Sequence, residues 1–392
     1  MNATLADPRP PYWRLSTFYL FYFGALGALA PFWGPYLQSR GLEAAAIGGL
    51  MAILLGTKMI APLLWGLLAD HTGRSLRWVR LAAGLTMVIF AAIFWAQSLW
   101  SIALVMFAFS FFWNASLPQM EAATLNHLGS EVRRYASIRL WGSVGFILMV
   151  LGLGYFVDEL GMDIIPQAVL VLFVAVWGST LLVPECRLAP ASNTQPALGA
   201  VLAKPDVRWF LVTCFLMQLS HGVYYAFYSI HLEEAGYHNT VVGALWAFGV
   251  IVEVVVFLRM HWLLERFGAH AVLLVSLALA IVRWTLTGTA LAWWPMQLAA
   301  QTLHAATFGA FHAAAIHLVH HYFRGRTQGR GQALYNAVSF GAGGAAGSLI
   351  AGLLWQRIGA MWIFVLAAAV AALGWIICYR LIDPDRCGAR HG

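Results

Sequence analysis

Charged side chains are scarce in this chain: Asp, Glu, Lys and Arg make up 10% of its 392 residues, against 61% hydrophobic. That ratio leaves too little polar surface to coat a water-soluble globule, and it excludes a soluble protein with an ordinary exterior. Cysteine is scarce too. Cys186, Cys214, Cys378 and Cys387 show no paired ligand spacing, so no structural disulfide or cysteine-based metal site is expected. A G-x-x-x-x-G-K phosphate cradle is absent, which removes the usual sign of a nucleotide-driven machine. No cleavable signal is visible, because the first apolar run is too long for a signal h-region and lacks a convincing small-residue cleavage site. It should remain as a span.

What is abundant is apolar sequence in runs of about 20 residues, the length that crosses a hydrocarbon core of roughly 30 Å as a helix. Twelve spans are predicted, over 15–37, 47–69, 79–97, 99–122, 136–156, 163–183, 209–231, 241–261, 269–289, 294–318, 331–353 and 361–382. The chain therefore reads as an all-α membrane protein with the lipid bilayer as its surroundings. Its net charge of +7 does not point to nucleic acid, because of where the positive residues stand. Of the 23 Lys and Arg, 18 fall in the tails, the even-side loops and the span ends that border them, two (Arg40, Arg357) in the opposite loops and three (Lys58, Arg139, Arg283) farther within spans. This positive-inside bias predicts that both termini are cytoplasmic.

The longest polar stretch, PECRLAPASNTQPALGAVLAKPDVR, carries four prolines and three basic residues. It divides the chain into an N-terminal six-helix bundle (1–183), a cytoplasmic linker (184–208) and a C-terminal six-helix bundle with a short tail (209–392). The halves echo one another faintly. Asp70-His71-Thr72-Gly73 follows the second span and Glu265-Arg266-Phe267-Gly268 the eighth, 195 positions later; the same offset carries Lys58 onto Glu253. Parallel repeats about an axis along the membrane normal would put these opposite charges at equivalent depths.

Five charges stand inside the spans: Lys58, Glu121, Arg139, Glu253 and Arg283. Each costs roughly 2.5 to 3.5 kcal/mol at bilayer depth on the insertion scale, and such residues usually line a solute or proton path. Lys58 is too deep to snorkel easily and should face a wet cavity or a carboxylate. Glu121 and Arg139 lie on consecutive spans and form either a substrate anchor or a structural ion pair. Glu253, the only carboxylate in the middle of a second-half span, is the candidate proton carrier. Burial favours the neutral form of a carboxylate and a nearby cation the charged form, so a neighbour can decide whether it holds a proton. The alternative is a silent Glu253–Arg283 pair. Three cations against two carboxylates leave an excess that an anionic solute would balance.

Aromatic residues beside polar handles suggest pocket walls: Phe111, Phe112 and Trp113 precede Asn114, and Tyr224, Tyr225, Phe227 and Tyr228 follow His221. Asn114, His221, Tyr224 and Trp246 are accordingly candidate substrate contacts. His317, His320 and His321 form one H-x-x-H-H box, but di-iron chemistry needs several such boxes converging, so a basic helix end is the preferred reading. Gly341, Gly343, Gly344 and Gly347 give a small-residue face suited to close helix packing.

The loop Gly66-Leu67-Leu68-Ala69-Asp70-His71-Thr72-Gly73-Arg74 between the second and third spans resembles the signature loop of the major facilitator superfamily. In that superfamily it is a cytoplasmic latch, so the resemblance implies that Gly66, Asp70, Gly73 and Arg74 govern gating. The stretches RLWGSVGF, QLSHGVYYAFYSIHLEEAGY, GALWAFGVIVEVVVF and IVRWTLTG are similar to the phenylpropionate permease group of proton symporters. A more distant likeness to the lactose permease family implies that Glu121 and Arg139 match its substrate pair, and Arg283 and His304 its coupling residues. Its proton-bearing carboxylate, three residues after that histidine, is replaced here by Thr307.

The expectation is thus a twelve-helix symporter of the major facilitator fold, without cofactor or metal and working as a monomer. It would import a small organic anion, with the aromatic acid supplied by the resemblance. Lys58 and Arg139 are its substrate-side candidates, and Glu253, Arg283 and His304 its proton-coupling group. The alternatives are a symporter for a neutral sugar or nucleoside, a membrane enzyme built on the His317 box, and a transport-dead sensor.

Overall fold

A computed structural model describes residues 10–72, 75–129, 131–185, 198–324 and 327–383. The described chain is helical, without strands. Its membrane helices are α1 (Tyr12–Ser39), α2 (Ala44–Ala69), α3 (Ser75–Phe94), α4 (Leu99–Leu128), α5 (Val132–Leu160), α6 (Ile164–Leu182), α7 (Pro205–Glu234), α8 (Asn239–Phe257), α9 (Met260–Thr289), α10 (Trp294–Tyr322), α11 (Gln328–Ile358) and α12 (Ala360–Leu381). Eleven are long and apolar enough to span a bilayer by length and composition. α10 is the other one, diluted by buried Gln297, Gln301 and His304 and divided by a π segment at Ala305–Ala310.

Three departures from the hydropathy reading have a local cause. α7 starts at Pro205 rather than 209, since proline lacks the N–H that a first helical turn leaves unpaired anyway. α8 stops at Phe257 instead of running to 261, and the chain resumes helix at Met260 before turning at Gly268, whose φ of 76° suits glycine. α2 is not continuous: Lys58 stands in a 3₁₀ turn, Thr57–Met59, between two α-helical pieces. Asn114 of α4 holds that break open, its Nδ2 donating to Leu54 O (3.0 Å) and Thr57 Oγ1 (2.8 Å). A side-chain amide thus takes up backbone oxygen that a regular helix would satisfy.

α1–α6 pack into one bundle and α7–α12 into another. Within the first, Gly27 lets α1 approach α5: a Cβ there would lie 2.9 Å from Phe146 O. Gly222 lets α7 approach α11 in the second, where a Cβ would lie 2.6 Å from Gly347 Cα. Gly27 and Gly222 are 195 positions apart, the offset of the sequence echo.

The bundles meet through α1 with α7, α2 with α11 and α5 with α8. Their closest approaches lie toward the loops after α1, α5, α7 and α11. A Cβ on Gly48 would fall 2.6 Å from Ser348 O, and one on Gly154 2.6 Å from Asn239 O. There Asp158 also accepts hydrogen bonds from Asn239 N (2.8 Å), Thr240 N (2.8 Å) and Thr240 Oγ1 (2.7 Å), so a carboxylate of one bundle caps the N-terminus of α8 in the other. At the opposite end, which bears the basic loops, α4 and the second bundle's α10 form no comparable contact among the described residues. Among the described residues the close approaches between bundles thus gather toward the end with few basic residues.

Candidate substrate and coupling site

In the second bundle, Arg283 of α9 is wholly buried, with its guanidinium between the rings of Tyr224 and Trp284, each 4.4 Å from the guanidinium carbon. Its Nη1 donates to Thr307 Oγ1 (3.0 Å) and lies 3.3 Å from His221 Nε2. The latter is an acceptor: His221 Nδ1 sits 2.8 Å from Met217 O and must carry the ring proton to bond a carbonyl. Arg283 therefore rests on neutral acceptors and π faces, with Nε and Nη2 unpartnered by protein.

Glu253 of α8 does not pair with Arg283. Its Oε2 lies 3.4 Å from His304 Nε2 of α10, while Arg283 acts on it electrostatically from farther off. Gly309 makes this possible, since a Cβ there would lie 2.8 Å from Glu253 Cγ. The π segment that contains Gly309 begins directly after His304. Such segments recur at functional sites because an extra backbone residue re-aims the side chains around it.

Across the molecule, Arg139 of α5 is half-buried, its guanidinium 3.7 Å above the Phe23 ring. Gly142 gives it room: a Cβ there would meet Nη1 at 2.6 Å. Glu121 lies within electrostatic reach of Arg139 and beside Tyr135, but the two charges do not form a contact ion pair at 4.0 Å or less. Arg139 reaches electrostatically to Glu253 and His312 in the other bundle as well. Among the described residues it is a cation without a contact counterion.

The remaining candidates occupy supporting positions. Asn114 is spent on the break in α2. His221, Tyr224 and Trp246 are 0%, 1% and 5% exposed and form a buried layer around Arg283. Tyr224 donates to Gln301 Oε1 (3.3 Å), and Trp246 to Ser229 Oγ (3.1 Å). Lys58, half-buried between α4 and the π segment of α11, has neither ion pair nor hydrogen bond among the described residues and does not touch Glu253. In the loop after α2, Gly66 and Asp70 fall on helix, whereas Gly73 and Arg74 lie outside the described residues. No three His, Cys, Asp or Glu side chains converge as a metal-binding group among the described residues. Cys214 is a free buried thiol and Cys378 is buried, while Cys186 and Cys387 lie outside the described residues.

Residues 12–366 match the model of the MFS_1 like family. The chain belongs to that family, within the major facilitator superfamily. It is 34% identical to the probable 3-phenylpropionic acid transporter of Escherichia coli (strain K12), over 90% of this chain and 94% of that protein. Similarity to the maltose permease of Geobacillus stearothermophilus is 28% identity over 88% and 89%. A single-residue mutant of the nucleoside transporter NupG superposes with a TM-score of 0.85 at 16% identity, covering 95% of this chain and all of the other. The human organic anion transporter MFSD10 gives 0.66 at 17%, over 94% and 100%. These last two speak for the fold alone. The chain is a multi-pass major facilitator transporter.

Against that family background, Thr307 explains the setting of Arg283: where the resemblance implies a carboxylate, this chain offers a neutral hydroxyl, and the buried carboxylate comes instead from α8. Three residues of the site were missed in the sequence. Gly309 gave no signal, because only the crossing of α8 and α10 shows what it accommodates. Phe308 and His312 did carry one, at four-residue spacing from His304, but so regular a stripe is usually core. Their half-buried side chains set them apart.

Proposed function

We propose that this transporter is a proton-coupled symporter that brings a small organic anion, an aromatic monocarboxylate, into the cell across the inner (plasma) membrane. The observation that carries the reading is Arg139: among the described residues a cation without a contact counterion, within electrostatic reach of Glu253 in the other bundle. An incoming carboxylate supplies the missing charge, and the planar guanidinium suits bidentate binding. Glu253 then serves as proton carrier, with His304 in contact and Arg283 as a fixed positive charge behind them. Lys58 and Glu121 tune the charge on the substrate side. With solute and proton both bound, Arg139 has its counterion and Glu253 is neutral, and the bundles can rock past one another. The positive-inside bias supports cytoplasmic termini, which puts the close bundle contacts toward the outer face. A single chain supplies both halves of the site and works as a monomer.

The 34% identity to a probable 3-phenylpropionic acid transporter supports an aromatic acid. A neutral sugar or nucleoside is the second reading, favoured by the Glu121 and Arg139 neighbourhood and the maltose permease likeness. Purified protein in proteoliposomes separates them: proton uptake is followed as aromatic acids, sugars and nucleosides are added in turn. Proton movement with aromatic acids alone is expected, and movement with maltose or a nucleoside but no aromatic acid would overturn the reading.

A further inference from the structure

α10 carries a row of flat rings. His304, Phe308 and His312 follow at four-residue spacing and share a helix face. His304 and Phe308 stack at 5.3 Å and 7°, Phe308 and His312 at 6.5 Å and 15°. Phe340 of α11 meets Phe308 and His312 edge-on at 5.9 and 5.5 Å. Phe308, His312 and Phe340 are half-buried, whereas Thr307, Phe311, Tyr335 and Ser339 around them are fully enclosed. The row has unlike ends. Glu253 contacts His304 at one, and the Tyr335 hydroxyl sits 2.9 Å from His312 Nδ1 at the other.

Eight residues of helix separate the ends by about 12 Å. Arg139 lies within electrostatic reach of both Glu253 at one end of the row and His312 at the other. The Tyr335 hydroxyl and His312 Nδ1 share one hydrogen bond. With the phenol as its donor, the imidazole proton sits on Nε2.

We propose that Phe308, Phe340 and His312 form a specificity subsite for aryl-alkanoic acids that carry an oxygen on the ring. The carboxylate lies at Arg139, the aryl ring lies on Phe308 against the edge of Phe340, and His312 Nε2 donates to the ring oxygen. Tyr335 is a positioning residue that sets the tautomer of His312. This subsite rests on the aromatic-acid reading above and deepens it, because it ranks substrates within that class. Aromatic ring pairs prefer offset or edge-on contact with one another, which a saturated ring of the same size does not reproduce.

Competition against labelled 3-phenylpropanoate counterflow in proteoliposomes tests the subsite. The competitors are unlabelled 3-phenylpropanoate, its meta- and para-hydroxy derivatives and 3-cyclohexylpropanoate. Wild-type protein should prefer the better-placed hydroxy acid over the plain acid by about tenfold, the worth of one well-made hydrogen bond. His312→Phe, which keeps a flat ring and loses the donor, should bring that ratio toward one. Phe308→Leu should reduce the preference for phenyl over cyclohexyl by about threefold to tenfold. Should His312→Phe fail to give a monodisperse protein, Tyr335→Phe reads the same hydroxyl ratio through the tautomer. Unchanged ratios in monodisperse variants would overturn the subsite alone. Wild-type protein that takes up no aromatic acid would overturn the reading beneath it as well.

Discussion

Single residues account for the unusual charge arrangement of the site. Arg283 is buried without a contact carboxylate among the described residues, and Thr307 accepts a hydrogen bond from its Nη1 at 3.0 Å. Thr307→Val removes that acceptor without much change of shape, leaving another guanidinium donor unmet. A loss of about 1 to 3 kcal/mol in stability is expected, read as a lowered unfolding temperature in detergent. Arg139 asks a different question, since its guanidinium has room, a ring beneath it and no contact counterion among the described residues. Arg139→Lys keeps the charge but loses the planar fork, so the variant should fold normally and bind the aromatic acid at least about tenfold more weakly. Equal binding would favour a purely structural role. The charges themselves were plain in the sequence, because ionisable residues stand out in apolar runs. Their partners were not: pairing Glu253 with His304 rather than Arg283 depends on how α8 and α10 are rotated about their axes, which hydropathy does not encode.

Helices, at the next scale, were legible wherever hydropathy is uniform and illegible where the backbone changes pitch. The break at Thr57–Met59 and the π segments at Ala305–Ala310 and Ala337–Gly343 shift hydrogen bonds by one residue without altering apolar character. Only the partner side chains, such as Asn114 on Leu54 O, reveal why the chain departs from a regular helix there. Glycines have two distinct duties. Gly48 and Gly154 close the gap between bundles, whereas Gly222 closes α7 onto α11 within one bundle. Gly48→Val should therefore spread the bundles at this end and shift the population toward opening there, measured as a longer distance between spin labels on the loops after α1 and α7. Gly222→Val should instead weaken the second bundle and reduce the yield of folded protein. Asp158→Ala removes three hydrogen bonds to α8. It should move the same spin-label distance as Gly48→Val while folding normally, because a cap of this kind contributes about 0.5 to 2 kcal/mol.

Two similar bundles with a shared interface describe the whole molecule, and the faint sequence echo has a structural counterpart. Gly27 and Gly222, 195 residues apart, both seat the first helix of a bundle against the fifth. Lys58 and Glu253 share that offset but differ in setting: Lys58 stands inside the break of α2, while Glu253 lies several residues before the interruption of α8 and contacts His304. In the proposed function the two halves divide the chemistry between them, with Arg139 binding the anion on one side and Glu253 taking the proton on the other. Uphill accumulation across an imposed pH gradient, compared with solute exchange at equal pH, tests that division most directly. Glu253→Gln keeps the shape and hydrogen-bonding reach of the carboxylate but cannot carry a proton, so proteoliposomes bearing it should lose accumulation of the aromatic acid while retaining exchange. Accumulation equal to wild type in the Glu253→Gln protein would contradict the account.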